Sequence, residues 1–425
     1  MPKLTIDGKE VDAGAHLNLI QAAEVAGIEI PHYCFHPGLS IPGNCRMCLV
    51  EVEKAPKLQI ACNTRVAEGM VVHTRSPKAT AAQKAVLEFL LINHPIDCPV
   101  CDQAGECKLQ DYYMDYDQQP SRFPLPEKNH KGKAIDIGSD VMLDQERCIL
   151  CARCTRFFDE ITKTSELAIF ERADHNRIDI NPGQPVNNKY AGNVIDICPV
   201  GALTEKDFRF RMRVWYLHST SSVCGACERG CSIDIHHHRG RIYRFKPRFN
   251  PDVNSYWMCD EGRHSFPELQ HETRLTAPLV QAKEELVAET WGAAVLRADL
   301  VAALGEDEFV KRFGALDYLL VLSTDANETC QMANQVWPIG AYPEITGSFT
   351  NFKGRVQRIN AAFPPPGNAL EAIDAIARLG RELDGIERPK SADAVFASMA
   401  KEEPAFKGLS LDGLGEHGAD LASSS

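Results

Sequence analysis

CFHPGLSIPGNCRMCLVEVE, residues 34–53, puts three cysteines on one loop and then runs straight into an alternating strand. With Cys62 the set reads Cx10Cx2Cx13C over Cys34, Cys45, Cys48 and Cys62. Zinc held by four cysteines usually uses two short Cx2C knuckles, and a long gap before a single Cx2C pair is unlike them. A binuclear iron–sulfur centre instead asks for one loop that wraps around it, with glycines where the backbone comes close to inorganic sulfur. Gly38 and Gly43 meet that need.

Upstream, LTIDG and KEVDA flank an Asp7-Gly8 turn, and LNLIQAAEVAGI has apolar residues at helical spacing. Hairpin, helix, ligand loop and returning strand predict a small β-grasp domain over residues 1–78. The stretch KATAAQKAVLEFLLIN predicts a second helix leading into His94, which opens Hx3Cx2Cx5C over His94, Cys98, Cys101 and Cys107. A lone histidine is more often a satisfied core or surface group than a ligand. Here the cysteine triad is one ligand short and His94 is the nearest soft donor. Neutral imidazole in place of thiolate removes a negative charge and shifts the potential of any cluster held there.

Cys148, Cys151, Cys154 and Cys198 form Cx2Cx2Cx43C, with Pro199 after the last cysteine. CILCARC is the triad of bacterial ferredoxins, but TRFFDE follows where their next cysteine stands. The set therefore describes one tetranuclear cluster closed by a distant residue, and the intervening residues must fold back. Cys224, Cys227, Cys231 and Cys259 form Cx2Cx3Cx27C, again suited to a tetranuclear cluster, with zinc as the competing ligand. His236, His237 and His238 lie in a predicted strand, where alternate side chains face opposite ways and cannot all converge. Cys330 reads as a small buried apolar residue on a helix.

With 425 residues, 44% of them hydrophobic, the chain has material for roughly three domains. A net charge of -12 leaves no basic stripe for nucleic-acid phosphates. MPKLTIDGKEV has neither the order of a secretory signal nor the character of a transit peptide, and no run approaches the roughly 18 apolar residues of a spanning helix. Sixteen cysteines, several of them in close Cx2C pairs, are read chiefly as metal ligands in a reducing compartment. GxGxxG after a strand, a Walker loop, GxSxG and HExxH are all absent, so no catalytic residue is assigned. One-electron centres without a hydride acceptor make a relay.

Further along, CPVGALTEKDF predicts a cluster loop entering a helix, and SIDIHHHRGRIYRFKPR a hairpin about Arg239-Gly240. Helical periodicity runs through EELVAETWGAAVLRADLVAAL, followed by a strand at DYLLVL and a helix around Glu328 to Trp337. The polar, Gly-rich residues 386–425 predict a flexible tail.

The four sets in this order, through CFHPGLSIPGNCRMCLVEVE, NHPIDCPVCDQAGECKLQD, CILCARCTRF and DICPVGALT, resemble the large iron–sulfur (G) subunit family of bacterial respiratory complex I, the NADH-quinone oxidoreductase. The resemblance is strong over residues 1 to about 270. It implies an α+β multidomain chain: a 2Fe-2S β-grasp ferredoxin domain (1–78), a 4Fe-4S domain with one histidine and three cysteine ligands (79–120), a ferredoxin-like 4Fe-4S domain (121–215) and a further 4Fe-4S domain (216–272). A shortened molybdopterin-oxidoreductase-like α/β remnant (273–385) precedes the tail. MCDEGRHSF resembles the beginning of such a domain and PIGAYPEITGSFTNFKGRVQRINAAFPPPG its far end. One 2Fe-2S and three 4Fe-4S clusters are implied, without molybdenum.

The implied partners are the flavin/NADH-binding subunit and the quinone-side iron–sulfur subunits of the peripheral arm. Attachment to the membrane is through the complex, on the cytoplasmic face. Electrons would pass from the Cys34 set through the Cys148 set to the His94 set, with the Cys224 set, which only some bacterial members keep, off that route. Two alternatives compete: the same module in a soluble NAD-linked hydrogenase or formate dehydrogenase, which usually carries the paired two-cluster motif, and a zinc-stapled interaction protein.

Overall fold

The computed structural model describes all residues except 118, 281–292, 297–298, 315, 317, 386 and 422–425. The chain divides into two compact units, Met1–Tyr216 and Leu217–Ser425.

In the first unit β1 (Lys3–Ile6) and β2 (Lys9–Asp12) pair antiparallel. Asp7 and Gly8 turn between them at φ 46° and 82°, and the Asp7 carboxylate accepts the Thr74 N–H at 2.8 Å. α1 (Leu19–Val25) begins at a capping box in which Asn18 and Gln21 satisfy each other's backbone N–H groups. β3 (Leu49–Val52), β4 (Gln59–Ile60) and β5 (Val71–His73) complete a sheet of order β2-β1-β5-β3-β4. Leu19, Ile20, Ala22 and Ala23 of α1 share one core with Leu4, Ile6, Val50 and Val72. This is the predicted β-grasp, and it fixes both ends of the loop that carries Cys34, Cys45 and Cys48.

α2 (Pro77–Leu91) starts with Ser76 Oγ accepting Ala79 N–H at 3.2 Å and with proline in its first turn, where a missing N–H costs nothing. There follow α3 (Lys108–Tyr112), β6 (Ile135–Asp136), β7 (Val141–Leu143), α4 (Arg153–Phe157), β8 (Leu167–Phe170), β9 (Arg177–Ile180), α5 (Asn193–Ile197) and β10 (Leu203–Glu205). The antiparallel pair β8–β9 and α5 fill the span between Cys154 and Cys198, and α5 ends with Cys198 as its C-cap. The sequence predicts a helix after Cys198, but the structure has a strand there. Leu203–Glu205 pairs antiparallel with Val141–Leu143, and all three of its residues are buried, so sheet pairing overrides the local pattern.

The second unit opens with a three-stranded meander, β11 (His218–Val223), β12 (Ser232–His238) and β13 (Arg241–Pro247), whose second turn is Arg239-Gly240 at φ 49° and 74°. α6 (Asp260–Arg263) follows. Next come β14 (Leu279–Val280), β15 (Ala293–Leu296), α7 (Leu300–Leu304), α8 (Glu306–Phe313), β16 (Leu319–Ser323), α9 (Glu328–Met332) and β17 (Gln335–Pro338). Their sheet, β14-β17-β16-β15, is parallel from β15 to β17. The last elements are β18 (Gly347–Thr350), β19 (Arg355–Ile359), α10 (Ala372–Asp384), α11 (Ala392–Glu402) and β20 (Ala419–Asp420).

Three expectations are corrected in this unit. Of the predicted helix EELVAETWGAAVLRADLVAAL, residues 284–292 and 297–298 lie outside the described residues, Ala293–Leu296 is a strand, and among the described residues only Leu300–Leu304 is helical. A short apolar run is ambiguous between buried strand and buried helix, and parallel pairing with Leu319–Leu322 decides it. The helix from Glu328 stops at Met332, and Trp337 lies in β17. The expected tail is folded: α11 packs Ala392 and Phe396 against Val356, Leu411 and Leu414, and β20 pairs with β19. Its apolar residues are few, widely spaced in sequence, and gathered only by the fold.

Phe396 is 3% exposed, so Phe396→Ala should cost about 3–5 kcal/mol. Limited proteolysis checks this: cleavage within 392–421 should be slow in the parent chain and fast in the variant.

Candidate metal centres

Cys34, Cys48 and Cys62 are buried and Cys45 half-buried. The four thiols meet as two hydrogen-bonded pairs, Cys34 with Cys45 and Cys48 with Cys62. The bond from Cys45 draws Cys34 down to about 6, and the same sharing together with burial pushes Cys45 up. Gly43 and Arg46 adopt φ 60° and 58°. Left-handed residues beside extended or right-handed ones turn successive N–H groups toward one point, which is how a loop presents donors to sulfur. Gly38 is not left-handed, and its N–H donates to His36 Nδ1 at 3.1 Å.

Cys148, Cys151, Cys154 and Cys198 line one small cavity, together with Leu143, Ile178 and Val200. Burial pushes Cys148 up to about 12 and Cys151 to about 11, and Cys154 and Cys198 rise for the same reason. Leu150 and Ala152 take φ 54° and 58° inside CILCARC. The Leu150 N–H donates to Cys148 Sγ at 3.4 Å, and backbone groups of Val200, Leu203 and Ala202 favour the thiolate of Cys198. An apolar cavity with four sulfurs on its wall and amides aimed at them fits an iron–sulfur cluster.

Cys98, Cys101 and Cys107 are mutual electrostatic neighbours, and burial raises Cys107 to about 11. The His94 imidazole lies beside Asp97, Lys128, Arg147 and Lys133, and burial lowers its pKa to about 4, so it is neutral, as a ligand must be. Burial alone would raise Asp97, but hydrogen bonds from Arg147 and Lys133 hold it at about 2. Arg147, 5% exposed, donates to Asp97 at 2.7 Å and lies 3.3 Å from Asp144. It thereby ties the His94–Cys98 loop to the chain entering Cys148. The same two sets touch through Gly201, where an added Cβ would stand 2.3 Å from Cys101 Sγ, and through Lys108 N–H donating to Pro199 O at 3.1 Å.

In the second unit Cys224, Cys227, Cys231 and Cys259 are again electrostatic neighbours. Burial lifts Cys224 to about 11 and Cys231 to about 12, whereas Cys227 is exposed. The Gly262 N–H donates to Cys259 Sγ at 3.4 Å, and a Cβ on Gly262 would lie 3.1 Å from Cys224 Sγ. Bare backbone is thus pressed against two sulfurs. The Tyr342 ring covers Gly225 in the same loop.

The histidine tract departs from strict alternation, because a bulge falls between His236 and His237. His237 and His238 both approach His218, with ring centroids 5.7 and 6.2 Å away. Among the described residues no group of three or more His, Cys, Asp or Glu is arranged to hold a single metal ion. In a tetranuclear cluster each ligand meets a different iron, and in a binuclear one two thiolates share each iron, so the four sulfurs of a set need not close on one point. Cys330 is buried on α9.

Sequence reasoning missed Arg147, Arg153, Arg156 and Tyr33, which lie between the sets. Tyr33 is fully buried beside Cys107 and Cys45, and its hydroxyl has no hydrogen-bond partner among the described residues. Arginines inside a cysteine motif and a tyrosine flanking a cysteine were signals available in the sequence.

Family models match in tandem along the chain. They are a 2Fe-2S iron-sulfur cluster binding domain over residues 2–77, the NADH-ubiquinone oxidoreductase-G iron-sulfur binding region over 83–122 and the NADH-quinone oxidoreductase subunit 3 ferredoxin-like domain over 138–204. A molybdopterin oxidoreductase Fe4S4 domain matches 217–270, and molybdopterin oxidoreductase matches 299–382. The chain therefore contains 2Fe-2S and 4Fe-4S cluster-binding domains.

It is 44% identical to the NADH-quinone oxidoreductase G subunit of Streptomyces coelicolor over 69% of this chain and 35% of that protein. It is 39% identical to the G subunit of Rickettsia bellii over 74% and 46%. The mitochondrial NADH-ubiquinone oxidoreductase 78 kDa subunit of Candida albicans is 41% identical over 89% and 52%. The chain thus spans between 35% and 52% of the length of these curated relatives. Among solved structures, a NAD+-reducing NiFe-hydrogenase in the H2-reduced state aligns over 50% of this chain and 91% of that chain, with 28% identity and a TM-score of 0.45.

Two outcomes are expected. Gly201→Ala should displace Cys101, costing about 1–3 kcal/mol and lowering iron content on metal analysis. His94 stays neutral in the folded chain down to about pH 4, whereas an unfolded imidazole takes its proton near 6.5. The stability it contributes is complete above about pH 6.5 and declines as pH falls toward 4, and His94→Phe should remove that slope in unfolding measured against pH.

Proposed function

From a chain that belongs with the G subunits of NADH-quinone oxidoreductase over its iron–sulfur domains, we propose the function of an electron-relay subunit of complex I. It passes single electrons from the NADH-oxidising flavin subunit toward the quinone-side subunits and has no substrate site of its own. Cys34, Cys45, Cys48 and Cys62 hold a 2Fe-2S cluster. His94, Cys98, Cys101 and Cys107 hold one 4Fe-4S cluster, Cys148, Cys151, Cys154 and Cys198 a second, and Cys224, Cys227, Cys231 and Cys259 a third. When bound, the clusters supply one-electron acceptors and donors. The protein supplies thiolates, a dry surround and fixed spacing.

One observation carries this reading: Cys34, Cys45, Cys107, Cys148, Cys151 and Cys198, from three different sets, pack in a single core with Tyr33, Met47, Leu87 and Tyr112. A core shared by three sets keeps the centres close and excludes water from the gaps between them. The Cys34 and Cys148 sets touch through Arg156, which donates to Cys34 O at 2.5 Å, and through Asn44, which donates to Leu150 O at 3.4 Å. The Cys148 and His94 sets touch through Gly201 and Arg147, which supports the order Cys34 set, Cys148 set, His94 set. The Cys224 set belongs to the other compact unit and has an exposed ligand in Cys227, which supports a side position for it. Among the described residues no helix is long and apolar enough to cross a membrane, so contact with the membrane is assigned to the rest of the complex, on its cytoplasmic face.

The test is anaerobic reduction followed by electron paramagnetic resonance with spin counting, with one binuclear and three tetranuclear centres expected. Fewer than three clusters would sink the assignment, and a colourless zinc protein would replace it. Cys151→Ser should remove one tetranuclear signal and stop NADH-to-quinone electron flow in the assembled complex. Cys227→Ser should remove a different tetranuclear signal, and equal loss of electron flow in both variants would overturn the side position of the Cys224 set.

A further inference from the structure

We propose that Arg153 is a positioning residue of the relay: its guanidinium clasps the Cys34 loop to the Cys198 loop and holds a positive charge between the two centres that exchange an electron. The proposal rests on the reading of those two sets as a binuclear and a tetranuclear centre.

The geometry begins with three nitrogens that point three ways. One terminal nitrogen donates to Phe35 O at 2.5 Å, on the residue after Cys34. The other donates to Ile197 O at 3.0 Å, on the residue before Cys198. One planar group therefore spans the two ligand loops, and its rigid fork fixes their separation in a way that a single ammonium cannot. The Nε–H is buried and has no hydrogen-bond partner among the described residues. A buried donor left unmet costs about 1–3 kcal/mol, more on a charged group, so the arrangement calls for an acceptor.

The wall on which Arg153 sits identifies that acceptor. The residue lines the same cavity as Cys148, Cys151, Cys154 and Cys198. The charged groups that act on it most are the thiols of Cys151, Cys198 and Cys34 and the guanidinium of Arg156. His32 and His36 also face it, with burial disfavouring their protonation, and Glu24 and Glu29 share a cavity with it, but among the described residues no carboxylate forms an ion pair with it. Arg153 is half-buried with its Nε fully enclosed, and a cation so placed without a carboxylate is costly unless a negative partner completes it. Four thiolates around an iron–sulfur core carry net negative charge and offer sulfur as acceptor, and hydrogen bonds to the sulfurs together with net charge set the potential. A fixed positive charge stabilises the more negative, reduced state. Arg153 therefore raises the potential of both centres.

The experiment uses the full chain in its assembled complex, with Arg153→Met and Arg153→Lys. Iron and sulfide content and spin counts come first. A parent complex lacking the binuclear signal or the Cys148-set signal would fail the underlying reading, independently of Arg153. In Arg153→Met with full cluster content, redox titration by electron paramagnetic resonance should show the potentials of those two centres shifted downward and the other two unmoved. Unchanged potentials, or an equal shift in all four centres, would overturn the proposal.

Arg153→Lys keeps the charge but cannot hold both carbonyls. Its binuclear signal should saturate at lower microwave power than in the parent, because its magnetic neighbour is held less closely. Unchanged saturation would overturn the clasp, and Lys serves as the deciding variant if Met prevents cluster insertion.

Discussion

Crowding of thiols in a dry core is the condition on which the first unit depends. A neutral thiol tolerates burial well, but four thiolates in one apolar cavity repel one another and lose their hydration. The structure answers with backbone amides directed at sulfur and with arginines placed between ligand loops. Left-handed residues inside the cysteine motifs, Arg46, Leu150 and Ala152, belong to that answer. Each such residue costs roughly 1–2 kcal/mol of backbone energy, which the surrounding core must overcome.

This condition also explains why the secondary structure near the ligands is short. α4 and α5 have five residues each, and β10 has three. Such elements are marginal alone and are held by what they pack against. The β-grasp sheet and α2 carry larger apolar faces and anchor the loops at their ends. The relay is therefore a set of loops positioned by a scaffold, the usual arrangement where chemistry needs close backbone approach.

The second unit repeats the device once, around Cys224 to Cys259, and then changes character. Its parallel strands β15, β16 and β17 with helices between them are an α/β layer, with β16 buried along its whole length. Here the reading from sequence was weakest. AAVL reads as helical because it sits among helix formers, and residues 386–425 read as a tail because their apolar side chains are sparse. Long-range pairing, β15 with β16 and β20 with β19, settled both.

The β-grasp order of the first domain and the grouping of sixteen candidate ligand positions into four sets were legible in the sequence. They rest on local spacing: a Cx2C loop, a strand period of two and a helix period of 3.6 residues are properties of neighbouring positions. Which set lies against which, the capture of both ligand loops by Arg153, the burial of Tyr33 between Cys45 and Cys107 and the folding of residues 392–421 were decided by tertiary structure alone. Those contacts join residues far apart in the chain, as Arg153 joins Phe35 across 118 positions, and no local period encodes them. Their energy comes from burying apolar surface while the charges drawn in with it keep their hydrogen bonds, which happens only once the whole core has closed.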